Sequence, residues 1–298
     1  MERKLTALKN AIEDLVHNGD LLIFGGMKTN RVPIAAVHEI IRQRKSDLNV
    51  MGLPNPLPSD MLCGAGILSK VEFCYMGIQG DKGFSQMRNF RRATEQGLTE
   101  AKEEIGWITI QQILAGAVHV PFVPVRGLAG TGIMEVRKDF KLIENPFGDE
   151  KLVAVPAANP NVAVIHVQLA DEYGNAELLD AGFTETEKLI ALASKKVIVT
   201  AEKIVPHENI RGSMTFPYFM VDAVAEVPYG AYPTACYQYY GVDWEHLDSY
   251  VESSSSQEAY QKYLDTYVYG TKDHREFIER AGGKKALERA KWNRGGLR

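Results

Sequence analysis

Apolar positions in this chain alternate between two spacings. Leu5, Leu8, Ile12, Leu15 and Val16 share one helical face. Asn18-Gly19-Asp20 ends that pattern with a glycine stop. Leu21-Leu22-Ile23-Phe24 follows with no polar break, the run expected of a strand covered on both faces. Gly25-Gly26 closes it. Thr29 and Asn30 then read as helix caps, and Pro33 fits a first helical turn. Ile34, Val37, Ile40 and Ile41 return to helical spacing.

The same alternation continues. Leu48–Leu53 and Val71–Met76 predict further strands, and helices are expected over Gln86–Glu95 and around Ile110, Ile113, Leu114, Ala117 and Val118. Pro121–Val125 is held extended by its prolines. Strand-like runs recur at Leu152–Val155, Val162–Ile165, Val197–Thr200 and Val221–Val224. The fold class is therefore α/β: an open, mainly parallel sheet with helices on both faces. Residues 1–298 read as one domain. Asp139–Lys151, polar and holding Pro146 and Gly148, is expected to be a loop or sub-domain junction. The serines Ser253–Ser256 read as a helix start before Glu258, and the basic stretch Gly282–Arg298 as a solvated end.

Composition narrows the function classes. With 45% hydrophobic and 24% charged residues the chain is not disordered. Thirty-four Lys+Arg against 38 Asp+Glu give a formal charge of −4, which offers nucleic acid no bulk attraction. No window reaches the ~18 consecutive apolar residues of a membrane span. The start, Met1-Glu2-Arg3-Lys4, leads into an amphipathic segment rather than a secretory apolar block. Cys63, Cys74 and Cys236 are odd in number, far apart and outside any C-x-x-C pair, so buried free thiols are expected. A cytoplasmic protein with neither a membrane nor a nucleic-acid partner is the expectation.

Common catalytic signatures are missing. There is no phosphate loop of the G-x-x-x-x-G-K-[ST] type, no G-x-G-x-x-G, no G-x-S-x-G and no H-E-x-x-H. The seven histidines are scattered, so no metal site is expected. Gly127-Leu128-Ala129-Gly130-Thr131-Gly132 is glycine-rich in the wrong order for a dinucleotide fingerprint; it reads either as a flexible loop or as a close backbone approach to a ligand through Gly130 and Gly132.

One local pattern remains, the turn Gly25-Gly26-Met27-Lys28-Thr29-Asn30 after the first strand. Two glycines at the carboxyl end of an early strand sit where open α/β sheets bind ligands. Their backbone amides, with a following helix N-terminus, suit a carboxylate, a phosphate or an oxyanion on a thioester carbonyl. A tight strand-to-helix turn with no ligand is the competing reading.

The stretch from Asn18-Gly19-Asp20 to Pro33 resembles the family I CoA-transferase signature, an Asn/Asp-Gly step, three apolar residues, Gly-Gly-Phe and Gly-x-Pro. Met27 stands where Phe is usual, and Arg31 where the third Gly is usual. Those departures resemble the glutaconate CoA-transferase A-subunit (alpha) branch of the family. So do Pro33–Val37, Pro121–Val125, Asn145–Phe147, Val164–Gln168, Pro228–Ala231 and Lys272–His274, spread in order along the chain. The resemblance implies the CoA-transferase fold, shared with sugar-phosphate isomerases. It also implies a ping-pong exchange of CoA between an acyl-CoA and a (di)carboxylate such as glutaconate. Coenzyme A would be co-substrate, with no bound cofactor. In that family the nucleophilic glutamate lies on a B subunit in a Ser-Glu-Asn-Gly-like turn, which this chain lacks. A hetero-oligomer with a B subunit (a heterodimer, A2B2 or A4B4) follows as an expectation.

The resemblance also ranks site residues. Gly25, Gly26, Met27, Lys28 and Asn30 are expected at the substrate. Arg126 reads as a partner for a substrate carboxylate or CoA phosphate, or as an ordinary surface ion pair. His166 reads as a pocket-lining residue or a satisfied core histidine. Glu100-Ala101-Lys102-Glu103-Glu104 resembles the segment that carries a catalytic glutamate in steroid-ring-cleaving CoA hydrolases. That match makes Glu103 a general base in an alternative, hydrolytic reading; a charged, solvated helix start competes with it. Effector-sensing domains of bacterial regulators share the fold type, but a DNA-binding helix-turn-helix is not expected in this length.

Overall fold

The computed structural model describes residues 2–179 and 184–291. Its centre is an eight-stranded sheet. The strands lie in the order Ala223–Glu226, Lys196–Ile204, Val162–Ala170, Leu21–Phe24, Leu48–Gly52, Leu68–Phe73 and Glu100–Glu103, all parallel. Ala176–Glu177 adds a short antiparallel member against the end of Val162–Ala170. The expected open, mainly parallel sheet is thus what forms.

The apolar runs explain it. In Leu21–Phe24, Leu22 and Phe24 enter one core while Ile23 enters the other. Val162 and Val164 likewise part from Ala163, Ile165 and Val167. A strand whose successive side chains point to opposite faces must be apolar at every position when both faces are covered. Helices Leu8–Leu15, Ile34–Arg42 and Leu57–Gly64 cover the first face, joined by Tyr250 and Tyr260 from later helices; Gly106–Ala117 and Thr184–Ala193 cover the second.

Three expectations need correction. Leu152–Val155 lies outside the main sheet, in the strand Lys151–Pro156 at the middle of a separate three-stranded antiparallel sheet. Asp139–Lys151, read as a loop or junction, carries the edge strand Lys141–Glu144 of that small sheet. An edge strand with largely exposed side chains keeps a polar composition, so sequence alone takes it for a loop. Glu100–Glu103 forms the edge strand of the main sheet, not a helix start, and Lys70–Glu100 (2.8 Å) and Lys102–Glu72 (3.5 Å) ion pairs line it.

The small sheet has its own core, Val125, Val153, Val155, Leu128 and Phe140, completed by Ile108 from helix Gly106–Ala117. Arg137 ties it to the main sheet: buried, it pairs with Glu104, with Glu72 at 3.2 Å and with Asp139 at 3.0 Å. Burial pushes the Glu104 carboxyl up. Burial acts the same way on Asp139, but hydrogen bonds from Arg137 and Lys102 outweigh it and hold that group well below the usual range.

Four short helices between Trp244 and Arg289 pack beside Ile34–Arg42, and their centre is a ring of histidines. Phe277 meets His38 at 4.7 Å, His274 at 5.2 Å and His246 at 5.5 Å between ring centroids. Burial, with nearby cations, keeps all three imidazoles neutral: His38 falls well below its ordinary value, His246 and His274 to about 4. The unfolded chain takes up these protons near pH 6.5 while the folded chain refuses them. Stability should therefore fall as pH drops from about 6.5 toward about 4, by up to about 1.4 kcal/mol per pH unit for each histidine. Urea midpoints measured at about pH 7.5 and about pH 5 check this, and His246→Phe should flatten the slope.

Candidate functional site

From Leu21–Phe24 the chain builds outward through Leu48–Gly52, Leu68–Phe73 and Glu100–Glu103, then returns to place Val162–Ala170 on the opposite side of Leu21–Phe24. The strand order reverses beside Phe24. Outside the carboxyl ends of strands at such a reversal an α/β sheet leaves a crevice, and Gly25-Gly26 opens into it.

The turn is tightly made. Gly25 extends the ladder, its amide donating to the Val164 carbonyl at 2.9 Å. Gly26 has φ +83°, and a Cβ there would lie 2.6 Å from the carbonyl oxygens of Asn30 and Arg31. Met27 and Asn30 exchange both backbone hydrogen bonds at 2.9 Å, closing a tight loop over Lys28 and Thr29. The Lys28 amide donates to Pro54 at 2.6 Å and the Arg31 amide to Ala235 at 2.6 Å. Glycine is required at 26 because the turn's own backbone folds over it.

This geometry revises the expected chemistry. The amides of Gly25, Gly26, Met27 and Lys28 are all spent inside the chain. Thr29 and Asn30 cap no helix; Ile34–Arg42 starts after Pro33, and its first amides bond Val32, Gly230 and Pro33. Neither the turn nor the helix start offers a ligand an open row of donors.

The acceptor for Gly26 is Glu187 Oε1 at 2.9 Å, on the helix Thr184–Ala193. Arg31 donates to both oxygens of the same carboxylate, at 2.8 and 2.6 Å. The side chains are 0% and 2% exposed. Arg31, at φ 54° and in place of the usual third glycine, thus supports the turn with a bidentate buried pair.

Two recesses flank the turn. One, of about 100 Å³, is walled by Met27, Leu53, Pro54, Gly106 and Ile110, with Gly26 and Glu187 at its base. Its apolar wall suits a short acyl chain. The second, of about 80 Å³, lies on the other side of Lys28 and Thr29, against Tyr75, Gly77 and Trp244.

Of the residues expected at the substrate, Gly26, Met27 and Lys28 reach these recesses. Gly25 and Asn30 lie buried behind them; Asn30 Oδ1 accepts from the Tyr237 amide at 3.4 Å. His166 is fully buried, so the pocket-lining reading is corrected. Its Nδ1 lies 2.9 Å from Thr200 Oγ1, its neighbour in parallel register, and its Nε2 lies 2.7 Å from Glu202. Tyr240 donates to the same Glu202 oxygen at 2.6 Å. Donor atoms of His166, Glu202 and Cys236 come within 4.8 Å of one another. With His166 and Glu202 engaged in this network, the trio forms a packed hydrogen-bond centre rather than an open ligand set.

Arg126 is exposed in the small-sheet region and pairs with Glu150 at 2.6 Å, the surface ion pair. Gly130 and Gly132 are exposed, and a Cβ at either would meet nothing within 4 Å, so close approach inside the chain does not account for them. Among the described residues none of these three lines the recesses. Glu103 is exposed at the end of the edge strand, outside both recesses; the buried acid of that segment is its neighbour Glu104. The sequence reading missed Glu187. Its Thr-Glu-Thr-Glu context looks like a solvated helix start, and 156 residues separate it from Arg31.

Glu187→Ala should strand a buried guanidinium and the Gly26 amide, and cost about 3–5 kcal/mol in chemical unfolding. The double change Arg31→Met with Glu187→Leu removes both charges and should recover much of that loss, which a double-mutant cycle measures. Gly26→Val should break the turn itself rather than only block a ligand.

Residues 5–227 match the Coenzyme A transferase family. The chain is 36% identical to the A subunit of glutaconate CoA-transferase from Acidaminococcus fermentans, covering 95% of this chain and 93% of that one. It is also 36% identical to the A subunit of 3-oxoadipate CoA-transferase from Pseudomonas knackmussii, covering 92% and 96%. The crystal structure of the A. fermentans glutaconate enzyme superposes with a TM-score of 0.91 at 35% identity, covering 98% and 96%. The chain spans 64% of the length of an Archaeoglobus fulgidus relative that is 34% identical over 97% of this chain. With the signature turn folded at the strand-order reversal, the chain belongs to the coenzyme A transferase family.

Proposed function

We propose that this chain is the A-type half of a hetero-oligomeric CoA-transferase, exchanging CoA between an acyl-CoA and a dicarboxylate such as glutaconate or 3-oxoadipate. The observation that carries the reading is the state of the acyl recess. Among the described residues its one carboxylate, Glu187, is neutralised by Arg31 and the Gly26 amide. A carboxylate held by a bidentate guanidinium is a poor nucleophile. The attacking carboxylate then comes from a B subunit seated over the crevice.

The exchange runs through covalent steps. A B-subunit glutamate attacks the thioester carbonyl, and CoA leaves as the thiolate. The thiolate returns to the glutamyl carbonyl of the mixed anhydride and releases the first acid. The acceptor carboxylate then attacks the glutamyl thioester and expels the thiolate, which attacks the acceptor's carbonyl in the new anhydride to give the new acyl-CoA and free the glutamate. This chain holds the acyl group against Met27, Leu53, Pro54 and Ile110 and excludes water there. Lys28, with no ion pair among the described residues, lines the second recess and offers a cation there for the distal carboxylate of a diacid. No helix among the described residues is long and apolar enough to cross a membrane.

The hydrolytic alternative needs Glu103 as a base. Its exposed position at the sheet edge, outside the recess, favours transfer. Glu103→Gln should keep most transfer activity in the assembled enzyme, and borohydride during turnover should modify a B-subunit glutamate. A general base would instead lose ~10²–10⁴-fold in rate on the same change. Purified by itself, this chain should be inactive, and co-purification with the B subunit should restore transfer.

A further inference from the structure

We propose that the outer face of the small antiparallel sheet is a two-fold docking surface on which a second copy of this chain seats. That sheet is apolar on both faces and covered on one. Its strands Phe122–Val125 and Lys151–Pro156 turn Val125, Val153 and Val155 inward onto Leu128, Phe140 and Ile108. The alternate residues Phe122, Pro124 and Leu152 face the other way and, with Ile143 of Lys141–Glu144, line a recess of about 440 Å³. All four are exposed or half-exposed.

A strand with one face in water alternates apolar with polar residues. Pro121–Val125 and Leu152–Pro156 do not alternate, the pattern of strands covered on both sides. This is also why Leu152–Val155 reads from sequence as a strand of the main sheet. Phe147 stands at the rim of the recess and is 96% exposed, so its ring has almost nothing to touch in its own chain. An aromatic knob beside an apolar socket is what an isologous contact requires, because each copy then gives what it receives.

Area, charge and position select a second copy as the occupant. The face presents on the order of 500 Å² of apolar surface, the size at which an exposed patch marks an interaction site. Two copies together bring roughly 1,000 Å², the threshold of a specific interface. The rim carries Arg126, Lys141 and Glu150, all exposed, and charges of both signs let the face meet itself without like-charge repulsion. The inner face packs on Ile108, in the same helix whose Gly106 and Ile110 wall the acyl recess. The outer face is therefore turned away from the crevice. The choice of a second copy over a B subunit rests to that extent on the transfer reading, which seats the B subunit over the crevice.

Analytical ultracentrifugation of the full chain, alone and co-purified with its B subunit, tests this. The chain alone should sediment as a dimer at micromolar concentration, and the assembly should hold two copies of it. Phe122→Glu with Phe147→Glu should weaken self-association about a hundredfold or more, since every change in an isologous contact counts twice. Phe147→Ala, at a side chain with almost no contact of its own to lose, should act more weakly in the same direction with unchanged far-UV circular dichroism. Phe219→Glu, at an aromatic that is 71% exposed elsewhere on the chain, should leave the mass unchanged. A wild-type chain that is monomeric alone and present once in the assembly would overturn the interface, as would a dimer that the double variant leaves intact. Loss of the B subunit rather than of the second copy in the double variant would give the face to that subunit and overturn the proposal too. A dimer formed through this face by a chain that takes up no B subunit would sink the transfer reading and leave the interface standing.

Discussion

The site depends on one buried ion pair. Arg31 and Glu187 come from opposite sides of the strand-order reversal, one just after the first strand, the other from a helix that follows Val162–Ala170. Two charges removed from water cost several kcal/mol each unless their hydrogen-bonding capacity is met. Here it is met in a particular way. Both carboxylate oxygens accept from the guanidinium, and one also accepts the Gly26 amide. The pair therefore fixes a backbone turn that contains a glycine at φ +83° and an arginine at φ 54°, the second a conformation that local preference disfavours. Remove the pair and the Gly26 amide loses its partner across the reversal.

Beneath it lies a second polar layer. The Arg31 guanidinium reaches the His166 carbonyl at 3.4 Å, and the His166 ring rests on Thr200 and Glu202. Glu202 also accepts from Tyr240 and from the Tyr229 amide at 2.7 Å, while His274 lies 2.7 Å from the Tyr229 carbonyl. Turn, sheet and C-terminal helices are thus joined by one chain of hydrogen bonds rather than by apolar contact alone. Such a buried network favours a single arrangement, because displacing a member leaves its partners unpaired at high cost. That rigidity holds the recess beside the turn in one shape.

What the sequence revealed follows from how burial writes itself into residue types. Leu21–Phe24 and Val162–Ile165 were legible because a strand covered on both faces has to be apolar at every position. Glu100–Glu103 and Lys141–Glu144 were not, since edge strands leave their side chains in water and can satisfy them with cross-strand ion pairs. The glycine turn is visible as a motif, but the partners of its amides, Val164, Glu187, Asn30 and Pro54, are supplied by the fold. Glu187 could not be seen at all. A carboxylate in a helix's first turn looks solvated until the fold brings a buried arginine to it from 156 residues away.

The arrangement also keeps the recess beside the turn free of an uncompensated charge. A catalytic carboxylate in an apolar recess would need its charge compensated, and compensation strong enough to stabilise it would also blunt its attack. Here the two demands fall on different groups. Glu187 is the buried carboxylate whose charge is spent on structure, and the recess beside it is left apolar and uncharged. Among the described residues that line the recess, Glu187 is the one carboxylate, and its charge is already met by Arg31 and the Gly26 amide, so the pair holds the fold and leaves the apolar wall free to contact a ligand.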